Sequence, residues 1–119
     1  MKWIEMIRVR SSGDKVEEIL QDIRARLPSC EEVGKGLERV LVWVHSEYRG
    51  DLAVIMTWNN DNPPAKSREG LLMAAFLMKQ GSVSHAVWEL ASERRSDAGN
   101  RSQVLERTDK ARRRGGDAY

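Results

Sequence analysis

The chain has one cysteine, Cys30, among its 119 residues. That excludes an internal disulfide and a cysteine-rich zinc site, and it suits a reducing, cytoplasmic setting. Histidine is nearly as scarce: His45 and His85 are the two side chains with an ordinary pKa near neutrality. No apolar run approaches the ~18 residues that a membrane-spanning helix needs. The N-terminus lacks the apolar stretch and small-residue cleavage site of a signal peptide. HExxH, CxxC, GxGxxG and a Ser-His-Asp order are all missing, so metal-dependent hydrolysis and nucleotide binding have no motif behind them, and no metal site is expected. Gly34-Lys35-Gly36 is a connector. A phosphate loop needs four residues between its glycines and a Ser or Thr after the Lys, and here Leu37 follows Gly36.

Charge is balanced overall, at +2, but unevenly spread. Residues 1–91 hold 12 basic and 13 acidic side chains, whereas residues 92–119 hold 8 and 5. The expected organisation is a near-neutral folded domain over 1–91 and a charged extension over 92–119. A short helix from about Arg101 to Arg113 is compatible with the extension, with Val104 and Leu105 its main apolar residues; alone it would be marginal in water. Arg112-Arg113-Arg114 reads as a solvated basic terminus more readily than as a nucleic-acid contact, so nucleic acid is not the expected partner.

What the chain does have is a hairpin. Val40–Val44 (VLVWV) and Leu52–Trp58 (LAVIMTW) are built of β-branched, aromatic and long apolar residues without charge, the pattern of strands covered on both faces. Between them Glu47-Tyr48-Arg49-Gly50-Asp51 makes the turn, where Gly50 is expected to supply a positive φ. Lys2–Ser11 alternates as a first strand. Asp14, with Glu17 three residues on, is the expected N-cap of a helix whose apolar face is Val16, Ile19, Leu20, Ile23 and Leu27, stopped by Pro28. Ser29–Gly36 is expected to be a loop.

After the hairpin Ser67 is the expected cap of a second helix, with Glu69 in its first turn. Leu71–Met78 (LLMAAFLM) is apolar nearly all round, with Leu71, Ala74, Ala75 and Met78 as one stripe, so cover on more than one side is expected. Gly81 is expected to close it as a left-handed residue. Val83–Ala91 alternates as a fourth strand.

The order β-α-β-β-α-β is the ferredoxin-like, split βαβ arrangement of the α+β class. Right-handed crossovers place strands 1 and 3 in the centre, strands 2 and 4 at the edges, and both helices on one face. Strand parity predicts Ile7, Val9, Val40, Val42, Val44, Ala53 and Ile55 toward the helices. It predicts Met6, Arg8, Trp43, His45, Met56, Trp58, His85 and Glu89 on the bare face. Such a face is too apolar to leave in water, and a second copy of the sheet is the simplest cover.

On element order, loop lengths and size, residues 2–91 resemble the dimeric α/β-barrel superfamily, which includes antibiotic-biosynthesis monooxygenases, haem-degrading monooxygenases and muconolactone isomerase. The resemblance implies a homodimer that encloses a pocket, with cofactor-free oxidation of aromatic substrates in some members and haem in others. It assigns no cofactor here, and no catalytic signature carries over residue by residue. His45 and His85 are the candidate general bases or haem ligands, against an ordinary structural role on edge strands. Trp43, Trp58 and Met56 are candidate substrate contacts, against interface packing. Arg8, Arg10 and Glu89 can orient an anion or pair across strands 1 and 4; Asn59 and Asn60 are turn formers. Three readings remain open. One is a homodimeric small-molecule-binding or interaction module. The second is a cofactor-independent or haem-linked monooxygenase or isomerase acting on a small aromatic or polyketide-like substrate. The third is a regulatory protein that touches nucleic acid through its basic tail.

Overall fold

A computed structural model describes residues 1–96. The chain runs β1 (Lys2–Arg10), α1 (Val16–Arg26), α2 (Cys30–Val33), β2 (Leu37–Val44), β3 (Asp51–Asn59), α3 (Arg68–Leu77) and β4 (Ser82–Glu89). The four strands form one antiparallel sheet in the order β2-β3-β1-β4, with β3 and β1 central as expected. The helix expected from Arg101 to Arg113 and the Arg112–Arg114 run lie outside the described residues.

The core occupies one side of this sheet. Val16, Ile19, Leu20 and Ile23 of α1 and Met73, Ala74 and Leu77 of α3 join Trp3, Ile7, Val9, Leu52, Val54, Met56 and Trp58 in a single cluster. Ile7, Ile23, Val54, Met56 and Leu77 have no exposed surface, each burial contributing roughly 1.5–3 kcal/mol. Opposite residues on β1 and β3 share a face, and Trp3 faces Trp58 there with stacked rings, centroids 5.3 Å apart and planes 12° off parallel.

That register corrects the expected parity on two strands. Ile7 pairs with Val54 and Val9 with Leu52, so Leu52, Val54, Met56 and Trp58 face the helices while Ala53 and Ile55 lie on the open side. Every second position of LAVIMTW is apolar in either parity, so alternation carries no information there; the larger set, Leu-Val-Met-Trp, goes inside. On β4, His85 lies opposite Ile7 and Glu89 opposite Trp3, on the helix side rather than the open one. Val40, Val42 and Val44 face inward as expected, opposite Met56, Val54 and Leu52, while an irregularity between Leu37 and Arg39 disturbs only the start of β2.

Local signals failed in four places. Asp14 does not cap α1, which begins after Lys15 with no side-chain cap; its carboxylate instead takes the Ser12 hydroxyl hydrogen bond, which lowers its pKa. Part of the expected Ser29–Gly36 loop is the single turn α2, capped by Ser29 Oγ accepting from Glu32 N at 3.3 Å. On α3 the buried stripe is Gly70, Met73, Ala74 and Leu77, leaving Leu71, Leu72 and Met78 exposed. Neither Gly50 nor Gly81 takes a positive φ. Both are there for closeness: a Cβ on Gly50 would strike the Ser11 carbonyl, and one on Gly81 the Arg10 carbonyl.

Candidate functional site

Glu5 sits in the middle of β1 on the helix-facing side, between Trp3 and Ile7, with no exposed surface. A carboxylate in that position must have its lone pairs filled. Four donors do so. Trp58 Nε1 donates to Oε1 at 3.2 Å and Ser67 Oγ donates to the same oxygen at 2.7 Å. Ser67 N donates to Oε2 at 2.9 Å, and His85 Nε2 lies 2.6 Å from Oε2.

The surrounding elements are shaped to admit this group. Ser67 caps α3 as expected, its Oγ accepting from Gly70 N at 2.9 Å while its hydrogen goes to Glu5. The carboxylate thus meets the first turn of α3, where a negative charge is favoured by the helix dipole. Gly70 leaves the necessary space: a Cβ there would run into Glu5 Oε2. His85 reaches in from the edge strand β4 with a side chain only 7% exposed.

The arrangement sets limits on chemistry. With the carboxylate accepting, Nε2 of His85 carries the proton, and its Nδ1 has no protein partner among the described residues. Glu5 stands between Ser67 and His85, so the serine has no imidazole beside it and the three are not a nucleophilic triad. Haem does not fit the two histidines either. His85 has one ring nitrogen committed to Glu5 and lines none of the clefts described below, and His45 stands on an exposed turn. His45 Nδ1 accepts from Glu47 N at 3.0 Å and Tyr48 N at 3.1 Å, which makes it the turn's own cap.

The other sequence candidates separate. Met56 and Trp58 are core, at 0% and 2% exposure. Trp43 is on the open face, opposite Ala53, and more than half exposed. Arg8 and Arg10 do not pair with Glu89, which lies at the far end of β4. They hold Asp51 instead. Arg8 donates Nε to Oδ1 at 2.9 Å and Nη2 to Oδ2 at 2.7 Å, and Arg10 adds Nη2 to Oδ2 at 3.3 Å. Asn59 and Asn60 serve turns: Asn60 Oδ1 accepts from Trp3 Nε1 at 3.2 Å and Asn62 N at 3.1 Å.

The Arg8 hydrogen bonds hold the Asp51 carboxyl at about 2, well below its ordinary 3.8, with Arg10 assisting and burial opposing; the same pairing raises Arg8. A depressed carboxyl stabilises the fold above its unfolded pKa, so the contribution is complete above about pH 4 and fades as pH falls through about 2. Because both arginines are about half exposed or more, we expect Asp51→Asn to cost only about 1–2 kcal/mol at pH 7. Urea unfolding at pH 7 and pH 2 checks this. The two proteins should converge at pH 2, and a gap that persists there would rule out the linkage.

Ile4, Met6, Leu41, Trp43, Ala53, Ile55, Thr57, Ala86 and Trp88 form the open side of the sheet by register. Trp43 and Trp88 are 56% and 58% exposed. At one end of this face Lys2, Ile4, Thr57 and Trp88 border a cleft of about 300 Å³. At the other, Arg8, Arg10, Ser82 and Ser84 border a polar one of about 210 Å³. A third, of similar size, lies outside the Trp3–Trp58 stack beside Ser67.

No family model matches the chain, and no curated protein does. Solved structures do match its fold. Rv0793 from Mycobacterium tuberculosis aligns with TM-score 0.55 and 11% identity over 80% of this chain and 100% of that one. A dimeric ferredoxin-like protein from an uncultured marine organism aligns at 0.53 and 10%, over 80% and 92%. A candidate antibiotic biosynthesis monooxygenase from Bacillus cereus aligns at 0.50 and 19%, over 80% and 98%. The chain therefore has the ferredoxin-like fold of these structures. At such identities the likeness is one of topology.

Proposed function

We propose that this protein is a homodimeric small-molecule-binding module in which the open sheet faces of two copies meet and enclose the ligand. One observation carries the reading. The open face leaves Trp43 and Trp88 more than half exposed beside a cleft, whereas the histidine in the interior is locked to Glu5 and borders none of the described clefts. Large exposed apolar surface of this kind calls for a partner, and a copy of the same face is self-complementary by symmetry. A neighbour of the same fold is described as dimeric, which supports a dimer here. The lone thiol, Cys30, suits a reducing compartment.

Light scattering of the full chain at two concentrations tests the dimer. We expect about twice 13.6 kDa for the natural sequence and a single-chain mass for Ile55→Lys, which sets a charge in the middle of the face. Circular dichroism should show both folded. A natural chain that stays monomeric at both concentrations would overturn the reading.

A second reading, an oxygenase or isomerase, is favoured by the unpartnered Nδ1 of His85 beside a buried carboxylate, the geometry in which a carboxylate orients an imidazole as a base. It ranks second because that nitrogen belongs to a side chain 7% exposed, so a substrate would reach it only if α3 moved off β4.

A further inference from the structure

We propose that the cleft at the Lys2–Trp88 end of the open face binds a small aromatic or otherwise hydrophobic amine. This rests on the reading of that face as ligand-binding, and names the class of ligand. The volume, about 300 Å³, is at the lower end of small-molecule sites. Its floor is sheet, with Ile4 of β1 flanked by Thr57 of β3 and Trp88 of β4 in register. Its wall is the segment that leaves β4, from which Leu90 and Glu93 border the cleft. The backbone holds that segment in place, since Leu90 N donates to the Lys2 carbonyl at 3.0 Å.

Charge selects the ligand. Glu93 borders the cleft beside the indole, and Glu89, although its register sets it toward the helices, borders it from the end of β4; neither has a partner among the described residues. The cation of the rim, Lys2, already has a carboxylate beside it, with Nζ 3.9 Å from Glu38 Oε1. The cleft therefore presents uncompensated negative charge next to an exposed indole. An ammonium group satisfies both, by ion pairing with the carboxylates and by attraction to the indole face. An anion of the same shape meets repulsion. The apolar body of the ligand would lie along Ile4 and Trp88, where the sheet gives it a flat surface.

The test compares two probes with one ring and opposite charge, 1-naphthylmethylamine and 1-naphthylacetate, titrated calorimetrically into the full chain in low salt. We expect the amine to bind at least about tenfold more tightly than the acetate, the difference shrinking as salt is added. Trp88→Ala should abolish amine binding. Glu89→Gln with Glu93→Gln should erase the preference between the probes while leaving the fold intact, because both side chains are exposed. Equal binding of the two probes, no binding of either, or an amine affinity unaffected by Trp88→Ala would each overturn the proposal. Light scattering on the same samples keeps the dimer separate. A monomer that still prefers the amine removes the dimer and leaves the site, whereas a dimer without the preference does the reverse.

Discussion

Replacing Glu5 with Ala should destabilise the protein by about 3–5 kcal/mol, the largest effect we expect from any single exposed or buried polar side chain in it. The change removes the common acceptor of Trp58 Nε1, Ser67 N, Ser67 Oγ and His85 Nε2, and leaves those donors buried or half-buried without a partner. Ser67 Oγ then keeps only its bond from Gly70 N, and no side chain ties the start of α3 to β1 and β4 through Glu5, so that end of the helix loosens from the sheet. Small domains have about 5–15 kcal/mol in total, so this variant should sit close to its unfolding midpoint at room temperature. Glu5→Gln keeps the shape and one carbonyl acceptor but turns an amide NH₂ toward two donors, and should cost about 1–3 kcal/mol. Urea unfolding orders the three proteins. If Glu5→Ala lay within about 1 kcal/mol of the natural chain, the carboxylate would not be the tie between helix and sheet.

Gly70→Ala gives a test whose sign is opposed by ordinary helix physics. Inside a helix, alanine is better than glycine by about 1 kcal/mol. Here the new methyl would collide with Glu5 Oε2, and that oxygen is pinned by Ser67 N and His85 Nε2. The carboxylate cannot step aside without breaking these bonds, so we expect a loss of about 2–4 kcal/mol instead of a gain. The cost should fall sharply in a Glu5→Asp background, where the acid is one methylene shorter, and that non-additivity would locate the clash at this pair. A Gly70→Ala protein more stable than the natural chain would show that α3 can shift to accommodate the methyl.

The sheet order, the four strands and the two longer helices are legible in the sequence because they rest on patterns that survive packing, such as the apolar spacing in α1 and the unbroken apolar hairpin. The Glu5 cluster is not legible in the same way. Glu5 belongs to an alternating strand, and a charged residue in such a strand is ordinarily set facing water; only the cross-strand register with Met56 and Val87 puts it inside. A signal was present. Trp3, Ile7 and Val9 share the parity of Glu5, and three apolar neighbours on one face imply that the fourth residue is buried with a partner. His85 stands out for its chemistry, but alternation does not set its side, because Ser84, Ala86 and Trp88 make an equally apolar alternative face. Charge sign matches Arg8 and Arg10 to Glu89, whereas the strand directly opposite Arg10 supplies Asp51. Pairing partners are long-range facts, and local pattern does not contain them.

The contact at Gly50 has a consequence for how the chain reaches this structure. Ser11, just past the end of β1, donates both its N–H, at 2.7 Å, and its hydroxyl, at 3.0 Å, to the Gly50 carbonyl, at a spot where a side chain cannot fit. The residues flanking Gly50 are Arg49 and Asp51, both large and charged. A pairing of β1 with β3 one residue out of step would set one of them against the end of β1, where a side chain is not accommodated. Strand β3, apolar on both faces and so tolerant of slippage by itself, thus has its register with β1 fixed by a glycine just outside it.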